Sequence, residues 1–71
     1  MGNTSTWRRY EFQVRGVLGE TLLCAFPSLT AKAAGKVTIL SGALPDQAAV
    51  HGVLAQIESL GLELLAMRRI T

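Results

Sequence analysis

Between Arg9 and Ile70 the apolar residues switch spacing twice, from every second position to every third or fourth and back, and that rhythm leaves few ways to fold the chain. From Trp7 the pattern alternates: Tyr10, Phe12 and Val14 point one way, Arg9, Glu11, Gln13 and Arg15 the other. This predicts a half-buried strand with one solvated face. Gly16 and Gly19 bracket a turn, after which Leu18, Leu22, Ala25 and Phe26 recur at helical spacing until Pro27 stops the run. That helix is expected to be short, about two turns, and partly irregular. Leu29, Ala31 and Ala33 alternate as a weak strand of small residues, and Gly35-Lys36 suits a tight hairpin turn. Val37-Thr38-Ile39-Leu40 is rich in β-branched residues and predicts a third strand, with Gly42 and Pro45 ending it.

The second helix has the clearest signature. Asp46 follows Pro45 and can accept hydrogen bonds from the first free backbone N–H groups. Val50, Val53, Leu54, Ile57 and Leu60 form one apolar stripe, and Gly61 is placed to end the helix in the left-handed conformation. Leu62 to Ile70 is the last predicted strand. Strand, helix, strand, strand, helix, strand is two βαβ halves joined by a hairpin. They close most simply into an α+β, ferredoxin-like βαββαβ domain with a four-stranded antiparallel sheet and both helices on one face. The 71 residues suffice for one such domain over residues 7–71, preceded by a flexible polar lead-in at residues 1–6.

A domain this short has a small core, and Cys24, the single cysteine, rules out an internal disulfide. Self-association is the remaining aid to stability, so a homodimer or a complex with an unidentified protein partner is expected. Met1 to Thr6 has no cationic start followed by an apolar stretch, and no apolar run approaches the roughly 20 residues of a membrane span. No membrane role is expected, and cytoplasm is the expected compartment.

Chemistry has little to work with. Gln47, the single histidine His51, and Glu58 fall within about 40° of one another on the wheel of the second helix. They form a polar strip that could hold a ligand or an acid/base histidine, or simply a solvated flank. No residue near Cys24 in sequence would lower its pKa, so it reads as a small, half-buried apolar residue. The scattered carboxylates offer no metal-ligand pair at a recognised spacing, and there is no phosphate-binding glycine motif. The expectation is a chain that is not an enzyme, with no catalytic residue, cofactor or metal.

The net charge is +2, and the arginines gather at the two ends of the chain. RNA recognition modules share this topology but set aromatic residues on the exposed face of their central strands, where bases stack. Here Tyr10 and Phe12 lie on the apolar side instead. A weak nucleic-acid binder using arginines on the open sheet face is kept as a lesser alternative.

Gly16-Val17-Leu18-Gly19-Glu20, joining the first strand to the first helix, resembles the corresponding loop of ACT domains, regulatory βαββαβ modules that bind amino acids at dimer interfaces. The resemblance covers five residues and lacks the proline usual before the glycine, where this chain has Arg15. It implies a small-ligand sensor with its site at Gly16, Val17, Leu18, Gly19 and Glu20. From Tyr10 onward the chain also resembles small bacterial proteins with no assigned activity. That likeness rests on its Tyr-Glu-Phe-x-Val-Arg-Gly opening, Asp-Gln-Ala-Ala-x-His-Gly centre and Leu-Gly-Leu-Glu-Leu-Leu-x-x-Arg-Arg ending.

Two surface patterns favour association. In the last strand Leu62, Leu64 and Ala66 are expected on one face, with Leu65 and Met67 on the other. A strand with one wet face has no use for Leu and Met there, and Leu40 is expected to repeat the anomaly in the third strand. Ala48, Gly52, Ala55 and Ser59 make a narrow strip of small residues on the outward side of the second helix, where another backbone could come close. The expected interface is therefore Leu40, Leu65 and Met67, or the strip of Ala48, Gly52, Ala55 and Ser59.

Overall fold

The computed structural model describes residues 7–70, so the lead-in expected at residues 1–6 lies outside the described residues. The elements are β1 (Arg8–Arg15), α1 (Glu20–Leu23), β2 (Thr30–Ala34), β3 (Val37–Leu44), α2 (Gln47–Ser59) and β4 (Leu64–Arg69). The fold is α+β: one four-stranded sheet in the order β2-β3-β1-β4, every neighbour antiparallel, with two helices.

Alternation in β1 sets the core. Tyr10, Phe12 and Val14 are buried on one face and join Phe26, Leu40, Leu44, Val50 and Ile57 in a single apolar cluster. We call this side of the sheet the core face. Strand β3 pairs with β1 so that Leu40 lies opposite Phe12 and Thr38 opposite Val14. Side chains directly opposite each other share a face. Leu40 therefore belongs to the core, at 1% exposure, and not to the open face. In Val37–Leu40 both parities are apolar, and pairing with β1 decides which set is buried.

Strand β3 also runs past its expected end, through Gly42 to Leu44. Gly42 does not stop the strand; it lets the Ser28–Leu29 segment cross close over it. A Cβ at position 42 would lie 2.7 Å from the Ser28 carbonyl oxygen.

Helix α2 forms as its sequence predicts. Asp46 is extended, its carboxylate accepts from the Ala49 N–H at 2.8 Å, and Gly61 takes φ +74° just past the end. Gly35, at φ +64°, opens the two-residue turn between Ala34 and Val37. Helix α1 is a single turn. Gly19 at its N-cap has no side chain to satisfy the free N–H groups. Beyond Leu23 the chain tightens, with the Ala25 and Phe26 N–H groups donating to the Leu22 and Leu23 carbonyls. These tight turns still deliver Phe26 to the core.

Candidate interaction surface

Strand β4 is an edge of the sheet, and all six of its residues are exposed. Its pairing with β1 contains a bulge. Gln13 lies opposite Ala66 and Val14 opposite Leu64, which leaves Leu65 as an extra residue without a partner. The extra residue reverses the parity expected along the strand. Leu64 and Met67 both face the core side, opposite Val14 and Phe12, whereas Ala66 and Arg68 share the outer face with Gln13 and Glu11. Met67 is thus not on the outer face. It sits at the margin of the core, 42% exposed, beside Leu64 at 38% and Leu65 at 39%. The end of α2 and the single turn of α1 leave this edge of the core face without a covering layer.

On the outer face two ion pairs reach from β1 to β4 and the residue before it: Arg15 to Glu63 at 2.7 Å and Arg68 to Glu11 at 3.1 Å. Hydrogen bonding and attraction from the Glu63 carboxylate raise the Arg15 pKa further above its ordinary value. The Arg15 pair is well exposed, so it contributes little stability. Both pairs do balance positive charge locally. Tyr10 and Phe12 meanwhile stack on each other inside the core, which leaves the outer face of β1 without an aromatic platform for bases.

The half-buried apolar residues of the outer face are Val37, Ile39 and Ala43 in β3, which the sequence reading passed over. Only the register of β3 against β1 exposes them, and a local pattern cannot reveal it. On α2 the strip of Ala48, Gly52, Ala55 and Ser59 is exposed throughout. A Cβ at Gly52 would meet nothing within 4 Å, so no close backbone approach within the chain accounts for the glycine. Gly52 instead borders an open groove of about 360 Å³ between α2 and the Phe26–Leu29 segment. The lining of the groove, including Phe26, Pro27, Leu44 and Val53, contains no ionisable residue.

Part of the Gly16–Glu20 loop is tied to the fold by hydrogen bonds. Thr38, buried on the core face, donates its hydroxyl to the Gly16 carbonyl at 2.7 Å and accepts from the Leu18 N–H at 3.2 Å. The Gly16 N–H donates to the Lys36 carbonyl. A ligand drawing on the Gly16 and Leu18 N–H groups would compete with these bonds. Thr38→Val keeps the shape but leaves both loop groups unsatisfied. It is expected to cost about 1–3 kcal/mol, seen as a lower melting temperature with faster exchange of the Leu18 amide.

Gln47, His51 and Glu58 do share an exposed strip of α2. The Gln47 amide, however, turns to donate to the Tyr10 hydroxyl at 3.2 Å and thereby caps a core residue. Cys24 is exposed, not half-buried as its neighbours in sequence suggest, because α1 ends before it. Among the described residues no three His, Cys, Asp or Glu side chains come together as a metal site. No described helix is long and apolar enough to cross a membrane.

No curated protein and no solved structure matches the chain. The family described as a domain of unknown function (DUF8691) matches residues 9–68, from the second residue of β1 to the last but one of β4, and the chain belongs to that family.

Proposed function

We propose that this chain is a non-catalytic interaction module, a ferredoxin-like domain with both helices on one face of the sheet, that forms a homodimer. The order β2-β3-β1-β4 with antiparallel neighbours supports that arrangement, as does the joining of Phe26, Val50 and Ile57 to one core cluster. The observation that carries the functional reading is β4. Leu64, Leu65 and Met67 stand partly exposed along an edge strand at the margin of the core.

Isolated exposed apolar residues are ordinary, but three grouped along one edge strand make an apolar strip. A small domain gains most from covering such a strip with another chain. A lone exposed thiol, which cannot pair within the chain, suits a reducing compartment and agrees with a cytoplasmic location.

The test is solution mass over a range of concentrations, by light scattering or sedimentation. A dimer at micromolar concentration is expected. Met67→Glu is expected to raise its dissociation constant about tenfold or more, since burying an unpaired carboxylate is costly. The variant stays folded because Met67 lies at the margin of the core. A wild-type chain that remains monomeric throughout the range overturns the reading.

A further inference from the structure

We propose that two copies join through their β4 edges, antiparallel about a two-fold axis, to make one continuous eight-stranded sheet; the inference rests on the self-association reading above and specifies its geometry.

The backbone of β4 is set up for this. The Ile70 N–H donates to the Arg9 carbonyl at 2.7 Å, so the polar groups of Ile70 face β1. Along an antiparallel strand the direction of these groups alternates. The N–H and C=O groups of Arg69 and Met67 therefore point away from β1, off the edge of the sheet. They form a free ladder of donors and acceptors, ready to pair with a strand of the same kind.

The other edge of the sheet offers less apolar surface. Strand β2 reads Thr-Ala-Lys-Ala-Ala, with a lysine at its centre and no large apolar side chain. A central lysine is a common guard against edge pairing. Strand β4 has Leu64, Leu65, Ala66 and Met67 in succession, and its cations come only at the end.

The strand's own sequence argues for a second copy, laid antiparallel, as the occupant. The last strand starts beside an acid, Glu63, and ends with Arg68 and Arg69. Glu63 and Arg68 already pair within the chain, with Arg15 and Glu11, and antiparallel pairing centred on Met67 keeps the arginines of the two copies apart, Arg68 level with Ala66 and Arg69 level with Leu65. Parallel pairing would set arginines against arginines. The antiparallel register centred on Met67 sets Met67 opposite Met67 and Leu64 level with Ile70. A register centred on Arg68 would bring two like charges together on the outer face, which is destabilising. The bulge at Leu65 puts leucine and methionine side chains around the seam, so pairing the backbones also covers them.

Arg69→Pro is the discriminating variant. Proline removes an N–H group that faces away from β1 while the β1–β4 ladder keeps its own bonds, and proline is tolerated on an edge strand in that position. The expected result is a folded chain whose dimer dissociation constant rises about tenfold or more, because the two-fold axis repeats the loss. Amide hydrogen exchange on the wild type provides a measurement that needs no variant. The Met67 and Arg69 amides are expected to be protected when the dimer is populated and to lose that protection on dilution, while the Ile70 amide, bonded within the chain, responds far less. A wild-type dimer that survives Arg69→Pro, or whose Met67 and Arg69 amides exchange quickly at every concentration, overturns edge pairing but leaves self-association standing. A wild-type monomer overturns both.

Discussion

Phe12→Ala is expected to remove about 3–5 kcal/mol of stability, enough to leave most of the chain unfolded at moderate temperature. Phe12 is fully buried on a central strand, flanked in the sheet by Leu40 on one side and Met67 on the other. Its ring also stacks against Tyr10, with centroids 6.4 Å apart. Truncation loses the transfer free energy of the ring and leaves a cavity that two hydrogen-bonded neighbouring strands cannot easily close. A 71-residue domain has a total stability of only about 4–10 kcal/mol, so the loss takes a large share. Urea denaturation followed by circular dichroism measures it. A loss below about 1 kcal/mol would mean that the site collapses around the smaller side chain, and that the core is far softer than its burial implies.

The position of Phe12 was readable from the sequence because β1 alternates without exception. One solvated face and one apolar face leave a single choice of parity. Helix α2 was equally legible, since Asp46 and Gly61 mark its two ends with chemistry particular to helix termini. The hairpin at Gly35-Lys36 was legible for the same reason. Each of these signals acts within a few residues of chain.

What the sequence concealed depends on contacts between distant segments. Leu40 was expected outside and is inside because Val37–Leu40 is apolar on both sides, and its parity is fixed by pairing with β1, some 25 residues earlier. Met67 changed sides because of one unpaired residue at Leu65. A bulge has no dependable local signature, yet it reverses the facing of everything on one side of it. The candidate surface moved accordingly. Its expected members Leu40 and Met67 left the outer face, Val37 and Ile39 took their place there, and the exposed apolar residues of β4 collected at the edge. The exposed apolar residues of the last strand thus line an edge with side chains on both faces instead of a single face.

Gly42 gives the second large effect, and its role could be seen only in three dimensions. The sequence suggests a glycine that breaks a strand, yet β3 continues through it to Leu44 with regular pairing to β1. Its backbone has no need of the left-handed region. Its requirement is space. The segment leaving α1 passes so close that an added Cβ would sit 2.7 Å from the Ser28 carbonyl oxygen and 3.0 Å from a Leu29 methyl group. The leucine methyl can rotate away. The carbonyl cannot, because the Leu29 N–H bonds back to the Phe26 carbonyl and Phe26 is anchored in the core. Gly42→Ala therefore pushes the Phe26–Leu29 segment off the sheet, at an expected cost of about 1–3 kcal/mol despite alanine's better fit to a strand. The same displacement widens the groove beside Gly52, so the variant is expected to show faster exchange of the Leu29 amide as well as a lower denaturation midpoint. Gly52→Ala serves as the contrast. Its Cβ meets nothing, alanine favours the helix by about 1 kcal/mol, and the midpoint is expected to rise. Equal effects at the two glycines would mean that close approach at Gly42 is not what holds the α1–β2 connection against the sheet.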